Sequence, residues 1–266
     1  MSRKYSGCIW RELGSLTRFP GPQPISIERR HMHLLKKNRY RVCPKNDGTR
    51  YLMVSDESGV YIINRSMQKT PFQGFRLVKY SVLDGELLAN GTFVVHDAMI
   101  IGGVDISRMN LDDRITKYTA FIKSCPKVSG KIKIKEHFTL DRIHEIDPHA
   151  PGVDGLIFTP VDEPVRFGTH ETLFKWKPLE LNTIDFVWNN GNLCIQDGQI
   201  IQKAGFSGKN GEIYECQMQK NGVWIPVKQR TDKDYPNNKR TYERTLVNLR
   251  EDIKFSDFIN INASKA

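Results

Sequence analysis

A lysine, an Asp-Gly pair and an arginine stand together in Val42-Cys43-Pro44-Lys45-Asn46-Asp47-Gly48-Thr49-Arg50-Tyr51-Leu52-Met53, with short apolar runs on both sides. Asp-Gly between apolar runs is a turn signal, so the spacing puts the Lys45 amine and the Arg50 guanidinium on one tight turn between strands. An amine in that setting can attack phosphorus, because neighbouring cations ease the loss of its proton and the neutral amine is a nucleophile. Arg50 stays charged and can also bind phosphate or ribose oxygens. The alternative is a plain surface turn, since Asp-Gly is common in hairpins. Further polar clusters follow: Asp84-Gly85-Glu86, His96-Asp97, Asp154-Gly155-Leu156-Ile157, Lys175-Trp176-Lys177-Pro178 and Arg230-Thr231-Asp232-Lys233. Each by itself also reads as a turn, a charged loop or a solvated strand face. His31 and His33, two residues apart, diverge on a helix and do not make a metal pair.

These groups need a sheet to hold them. Residues 39–64 read as strand, turn, strand, turn, strand, and residues 75–83 and 92–101 as two more, the last too apolar for an edge. Ahead of them, the prolines of Phe19-Pro20-Gly21-Pro22-Gln23-Pro24 force an extended entry, and Ser26 suits the N-cap of a short helix leaving at Asn38. Residues 111–125 have helical periodicity, opened by Asn110 and ended before Pro126. The alternation of Lys131-Ile132-Lys133-Ile134-Lys135 predicts a half-exposed strand with one basic face. Strands at 154–159 and 172–177 follow, then a boundary near residues 178–182. Beyond it, five short strands are separated by Asn190-Gly191, Asp197-Gly198, residues 208–211 and Asn221-Gly222, a pattern suited to a small barrel of the OB type. Residues 238–254 read as a charged amphipathic helix. The expected fold class is α+β, with domains at 1–181 and 182–266.

At 266 residues the chain is long enough for a main domain of roughly 180 residues and a smaller one of about 80. A net charge of +10 favours a polyanionic partner, nucleic acid or nucleotide. Five cysteines without a Cys-x-x-Cys pair argue for a reducing compartment and against a structural zinc site. No apolar signal region or membrane-length apolar run occurs, so the expectation is an intracellular, soluble protein. The sequons at Asn64, Asn90 and Asn262 then read as chance matches, and Ser264-Lys265-Ala266 departs from the peroxisomal tripeptide.

The clusters at Lys45–Arg50, Asp84–Glu86, His96-Asp97, Asp154–Ile157, Lys175–Pro178 and Arg230–Lys233 form an ordered series that resembles the covalent nucleotidyltransferase superfamily of mRNA capping guanylyltransferases and ATP-dependent DNA and RNA ligases. Phe19–Arg29, Val161-Asp162-Glu163-Pro164-Val165, Thr183-Ile184-Asp185-Phe186 and Thr241-Tyr242-Glu243-Arg244-Thr245-Leu246 add a resemblance to the capping guanylyltransferases, nearest the single-function enzymes of chlorella viruses, over residues 17–258. It implies an ATP-grasp-like nucleotidyltransferase domain of antiparallel sheets and helices, followed by an OB-fold domain. It also implies a viral source.

The resemblance implies that Lys45 attacks the α-phosphorus of GTP, releases pyrophosphate, and passes GMP from a lysyl phosphoramidate to a 5′-diphosphate RNA end. Arg50 and Arg65 then match basic positions at ribose or phosphate. Glu86 matches an acid that accepts from ribose hydroxyls or holds a metal, and Asp154 a ligand of Mg²⁺ or Mn²⁺ at the α-phosphate. Lys175 and Lys177 point one way from a strand to that phosphate. Lys135 matches a position near the guanine. Arg230, Asp232 and Lys233 reach the β- and γ-phosphates when the small domain closes, and the cleft reopens to admit RNA. Two positions depart from the family. His96 stands where Phe or Tyr stacks on the purine, as a weaker, titratable stacking group or as a buried, hydrogen-bonded histidine. Pro44 removes a backbone N–H beside the nucleophile.

No triphosphatase signature and no glycine-rich methyl-donor site occurs, which implies a separate RNA triphosphatase and cap methyltransferase acting with a monomer in a nucleus, a cytoplasmic viral factory or a virion. The competing readings are an ATP-dependent polynucleotide ligase, which shares the lysine, the acids and the closing domain, and a catalytically idle RNA-binding subunit of the same fold.

Overall fold

The computed structural model describes residue 13 and residues 16–72, 80–125 and 131–263. Most of the expected strand at 75–83, Cys8, Pro126 and Ser264-Lys265-Ala266 lie outside the described residues. The chain forms two compact units: one takes in Ile25 and the described residues before it, His33–Lys175 and the chain from Phe258, the other Ser26–Met32 and Trp176–Asp257. Along the chain the units change between Lys175 and Trp176, with residues 26–32 joined to the second unit and residues 258–263 to the first.

The first unit is built on two sheets. One has the order β1 (Pro22–Ser26), β12 (Gly168–Trp176), β11 (Val153–Pro160), β2 (Tyr40–Asn46) and β10 (Phe138–Thr139). The other runs β5 (Lys69–Pro71), β4 (Gly59–Ile63), β3 (Thr49–Asp56), β6 (Ser81–Leu87), β7 (Phe93–Ile101), β8 (Val104–Asp105), with β9 (Ile132–Ile134) parallel to β7. Leu52 and Val54 of β3 bury with Phe19 and Met99 on one face, and Met53 buries with Leu83, Val95 and Tyr118 on the other. Burial on both faces explains the near-continuous apolar runs. Helix α2 (Leu111–Ser124) covers one face, its N-cap Asn110 accepting from the Asp113 N–H as expected.

Several expectations change. Lys45 does not lie in a hairpin turn: it belongs to β2, and Asp47-Gly48 carries the chain out of the first sheet into β3 of the second. The helix expected from Ser26 begins later, because residues 22–26 pair as β1. A 3-10 turn (Arg29–His31) then opens with a Glu28/His31 capping box and leads into α1 (Met32–Lys37). His31 Nδ1 accepts from the Glu28 N–H at 3.0 Å, which gives this histidine a structural task. Lys131 and Lys133 are exposed as expected, but Lys135 is buried.

In the second unit the five expected strands are β13 (Thr183–Asn189), β14 (Asn192–Cys194), β15 (Ile200–Lys203), β16 (Ile213–Met218) and β17 (Trp224–Gln229), in the order β15-β14-β13-β16-β17. Asn190 and Gly191 both take positive φ, the turn that an Asn-Gly hairpin favours. The sheet is not closed by a strand ladder between β15 and β17 among the described residues. The Gln202 amide stands in for one, donating from Nε2 to the Trp224 carbonyl at 2.7 Å and accepting from the Trp224 N–H at 2.8 Å. Helix α3 (Lys239–Glu251) stops where Asp252 turns left-handed at φ 43°, and an unexpected α4 (Phe255–Ala263) follows. Gln202→Ala strands both Trp224 backbone groups and is expected to cost about 1–3 kcal/mol, read as a lower urea midpoint for the second unit.

Candidate active site

Residues Pro44, Lys45 and Asn46 of β2 run antiparallel to β11, with Pro44 opposite Leu156 and Asn46 opposite Val153. Two residues, Asp154 and Gly155, therefore face the single Lys45. This is a β-bulge, and it aims the Asp154 carboxylate at the lysine. The Lys45 amine donates to Asp154 Oδ1 at 2.7 Å and to Oδ2 at 3.0 Å. Gly155 sits at φ 138°, a conformation closed to side-chain-bearing residues, so the glycine of Asp-Gly-Leu-Ile is what allows the bulge. Gly48 is required for a different reason: a Cβ there would meet Glu86 Cγ at 2.8 Å and the Leu87 carbonyl at 2.9 Å.

Lys135 grips the lysine strand from the second sheet. Its backbone N–H donates to the Val95 carbonyl at 2.7 Å, and its amine donates to the Pro44 carbonyl at 2.7 Å and to Asn46 Oδ1. The residues on each side of Lys45 are thus held by one buried cation. Pro44 fits because its carbonyl is used here, while the β10 pairing of β2 stops at Val42.

Arg50 and Glu86 face each other across β3 and β6. Arg50 Nε and NH2 reach the two oxygens of Asp84 at 2.9 and 2.5 Å, NH1 donates to the Pro22 carbonyl at 2.6 Å, and the guanidinium lies over Phe19. Asp84 is fully buried, and His96 Nε2 lies 3.2 Å from its Oδ1. Burial by itself would raise the Asp84 carboxyl, but the Arg50 guanidinium and His96 outweigh it and hold the group well below the usual carboxylate range. His96 is thereby hydrogen-bonded through one ring edge and partly exposed. Arg65, in the exposed turn after β4, shares the electrostatic surroundings of Arg50, Asp84 and Glu86.

The neighbouring Asp97 is paired bidentately with buried Arg114 at 2.8 Å per bond. His137 Nε2 stands 3.1 Å from the His96 carbonyl, which can only accept, so Nε2 carries the proton. Its Nδ1 is then a buried acceptor without a hydrogen-bond partner. Burial, with His96 beside it, pushes the His137 pKa down from 6.5 to about 4.

Lys175 and Lys177 flank Trp176 at the end of β12, both half-buried, Lys175 in the first unit and Lys177 in the second. Arg230, Asp232 and Lys233 are brought together in the second unit. Arg230 forks onto Asp232 at 2.8 Å per bond and reaches Asp185 at 3.0 Å and Glu215 at 3.4 Å, while the Lys233 amine pairs with Asp185. These contacts, Asp232 first, raise the Arg230 guanidinium further, and Arg230 holds Asp232 well below its usual range.

Asp84, Asp185, Asn46 and His137 are the residues that sequence reasoning left without a role. The signal for two of them was at hand, since Asp84 opens Asp-Gly-Glu and Asp185 lies in Thr-Ile-Asp-Phe. No group of three or more His, Cys, Asp or Glu capable of caging a metal occurs among the described residues. The single carboxylate of Asp154 beside the Lys45 amine does fit Mg²⁺, which is commonly held by one or two carboxylates with substrate phosphates completing its shell.

Replacing Asp84 by Ala leaves Arg50 buried without its counter-charge, and is expected to cost about 3–5 kcal/mol in urea unfolding. His137 gives a pH signature. As pH falls from 6.5 towards 4 the unfolded chain takes up a proton that the folded chain refuses, so stability is lost across that window. His137→Gln, which keeps a donor towards the His96 carbonyl, should flatten the fall in urea midpoint over that range.

The chain is similar to several known proteins. The mRNA capping enzyme catalytic domain matches residues 3–145, and the mRNA capping enzyme C-terminal domain matches residues 188–259. The chain is 25% identical to the mRNA-capping enzyme subunit alpha of Schizosaccharomyces pombe, over 91% of this chain and 79% of that protein. It is 28% identical to the mRNA-capping enzyme of Danio rerio, over 82% of this chain and 45% of that protein, and so spans about half of such longer relatives. A solved minimal-scaffold DNA ligase, Lig E, is similar with a TM-score of 0.48 at 16% identity, over 80% of this chain and 100% of that one. With the catalytic-domain match running over more than half of its length and the C-terminal-domain match following in order, the chain belongs to the mRNA capping enzyme family, as an enzyme of the nucleotidyltransferase type.

Proposed function

We propose that the chain is an mRNA guanylyltransferase that works through a covalent lysyl-GMP. The observation that carries this reading is the Lys45 amine held against Asp154 by a bulge, with its strand clamped by Lys135. In the first step the Lys45 nitrogen forms a bond to the α-phosphorus of GTP, the bond from that phosphorus to the bridging oxygen breaks, and pyrophosphate departs. The amine proton passes to Asp154 or to solvent. In the second step a terminal oxygen of 5′-diphosphate RNA attacks the same phosphorus, the N–P bond breaks, and Lys45 regains a proton. Positioning and charge neutralisation carry most of such a transfer.

The family's chemistry implies a divalent cation; Mg²⁺ or Mn²⁺ held by Asp154, with Glu86 as a second carboxylate, would draw charge from the α-phosphate. Arg50 and Arg65 serve ribose and phosphate. Glu86 accepts from ribose hydroxyls, Lys175 and Lys177 meet the α-phosphate, and Lys135 and His96 border the base. Arg230 and Lys233, with Asp232 as their holder, exchange carboxylates for the β- and γ-phosphates on closure of the C-terminal domain, residues 182–266, over the domain of residues 1–181. The protein acts inside the cell as a monomer, with a separate RNA triphosphatase and cap methyltransferase.

Incubation with α-labelled GTP and Mg²⁺ or Mn²⁺ is expected to give an acid-labile protein adduct, lost in Lys45→Ala, and Arg230→Ala should slow adduct formation at least ~10-fold. Label from ATP alone would replace this reading with a ligase, and no adduct from folded wild type would favour an idle RNA-binding subunit.

A further inference from the structure

The segment after β17 is pinned at both ends to one residue, Asp185. At its start the Asp185 carboxylate accepts from Arg230 NH1 at 3.0 Å and from the Lys233 amine. At its end Asn237 closes a two-way contact with the Asp185 backbone, the Asp185 N–H donating to Asn237 Oδ1 at 2.8 Å and the Asn237 N–H donating to the Asp185 carbonyl at 2.8 Å. The Asn237 carbonyl also accepts from the Gln196 N–H at 3.0 Å. Between these anchors stands Tyr235, which is 70% exposed, more than any other large apolar side chain among the described residues. Pro236 follows it and biases its backbone towards an extended form. A loop tethered on both sides of an exposed aromatic ring offers a stacking surface whose backbone has little freedom left to lose on binding.

Along the chain the exposed Asp234 precedes the ring, and two exposed cations follow it. Lys239 and Arg240 occupy the first turn of α3, which contains no acidic residue. A helix dipole disfavours cations at that end. Both are exposed, as is Lys228 at the end of β17. An exposed aromatic ring followed along the chain by exposed cations is chemistry suited to single-stranded nucleic acid, the ring stacking on a base and the cations meeting the flanking phosphates.

We propose that Tyr235 is the stacking platform for a nucleobase of the acceptor RNA, and that Lys239 and Arg240 hold the phosphates beside it. The site deepens the guanylyltransferase reading by placing the RNA end on the C-terminal unit, and rests on that reading for the identity of the RNA.

The probe is a short 5′-diphosphate oligoribonucleotide, with a matched oligonucleotide lacking the bases near its 5′ end, bound to the full chain and followed by fluorescence anisotropy. Tyr235→Ala is expected to weaken binding of the intact probe about 10-fold, the loss of one base–aromatic stack. It should bind the abasic probe no worse than wild type does, and Tyr235→Trp should retain the affinity. Lys239→Ala should lower the slope of log affinity against log salt by about 0.7. Equal affinity of wild type and Tyr235→Ala for the intact probe would overturn the proposal. So would an equal loss for the intact and abasic probes, which marks a damaged loop. Because binding is read without GTP, a wild type that forms no GTP adduct overturns the guanylyltransferase reading and leaves the test of Tyr235 intact.

Discussion

A carboxylate without solvent exposure, Asp84, sets the terms for the first unit. Such a charge is tolerated only with partners of opposite charge and full hydrogen bonding, and Arg50 and His96 provide them. The requirement reaches outward. It binds β3, β6 and β7 together on their polar side, and draws the Pro22 carbonyl of β1 onto the same guanidinium. It also lines up Glu86 opposite Arg50. Lys135 ties this sheet to the lysine strand of the other, so Lys45 sits at a junction with charged anchors on both sides.

The second unit repeats the device with a different purpose. Asp185 is also buried, and it also gathers cations, here Arg230 and Lys233. Its backbone is engaged as well, through Asn237, so a single residue fixes the cations and the loop that follows them. In the first unit the buried acid holds Arg50 and His96 in place. In the second it neutralises Arg230 and Lys233 and fixes where their side chains lie.

The two departures from the family pattern become intelligible together. His96 stands in β7 with its Nε2 3.2 Å from Asp84 Oδ1, so its ring is oriented by a carboxylate of the neighbouring strand. Pro44 costs β2 an N–H at a point where β10 has already ended, and its carbonyl serves Lys135. Local chemistry at both positions follows from neighbours that come from other strands.

What the sequence determined by itself was the order of the polar clusters and the elements that carry them. The Asp-Gly and Asn-Gly pairs, the Asn110 cap and the apolar run at 92–101 are local signals, set by backbone preference and periodicity, and they could be read residue by residue. Tertiary structure decided the partners. Asp47-Gly48 looked like a hairpin turn because turn chemistry says nothing about which sheet the next strand joins. Lys135 looked like part of an exposed basic face because alternation cannot reveal that Pro44 and Asn46, far away in the chain, wait for its amine. The pairing of Lys45 with Asp154 depends on a bulge whose register exists only once β2 and β11 lie side by side. Asp84 and Asp185, silent as single letters in familiar-looking strings, became centres only when the fold removed them from water and made their counter-charges obligatory.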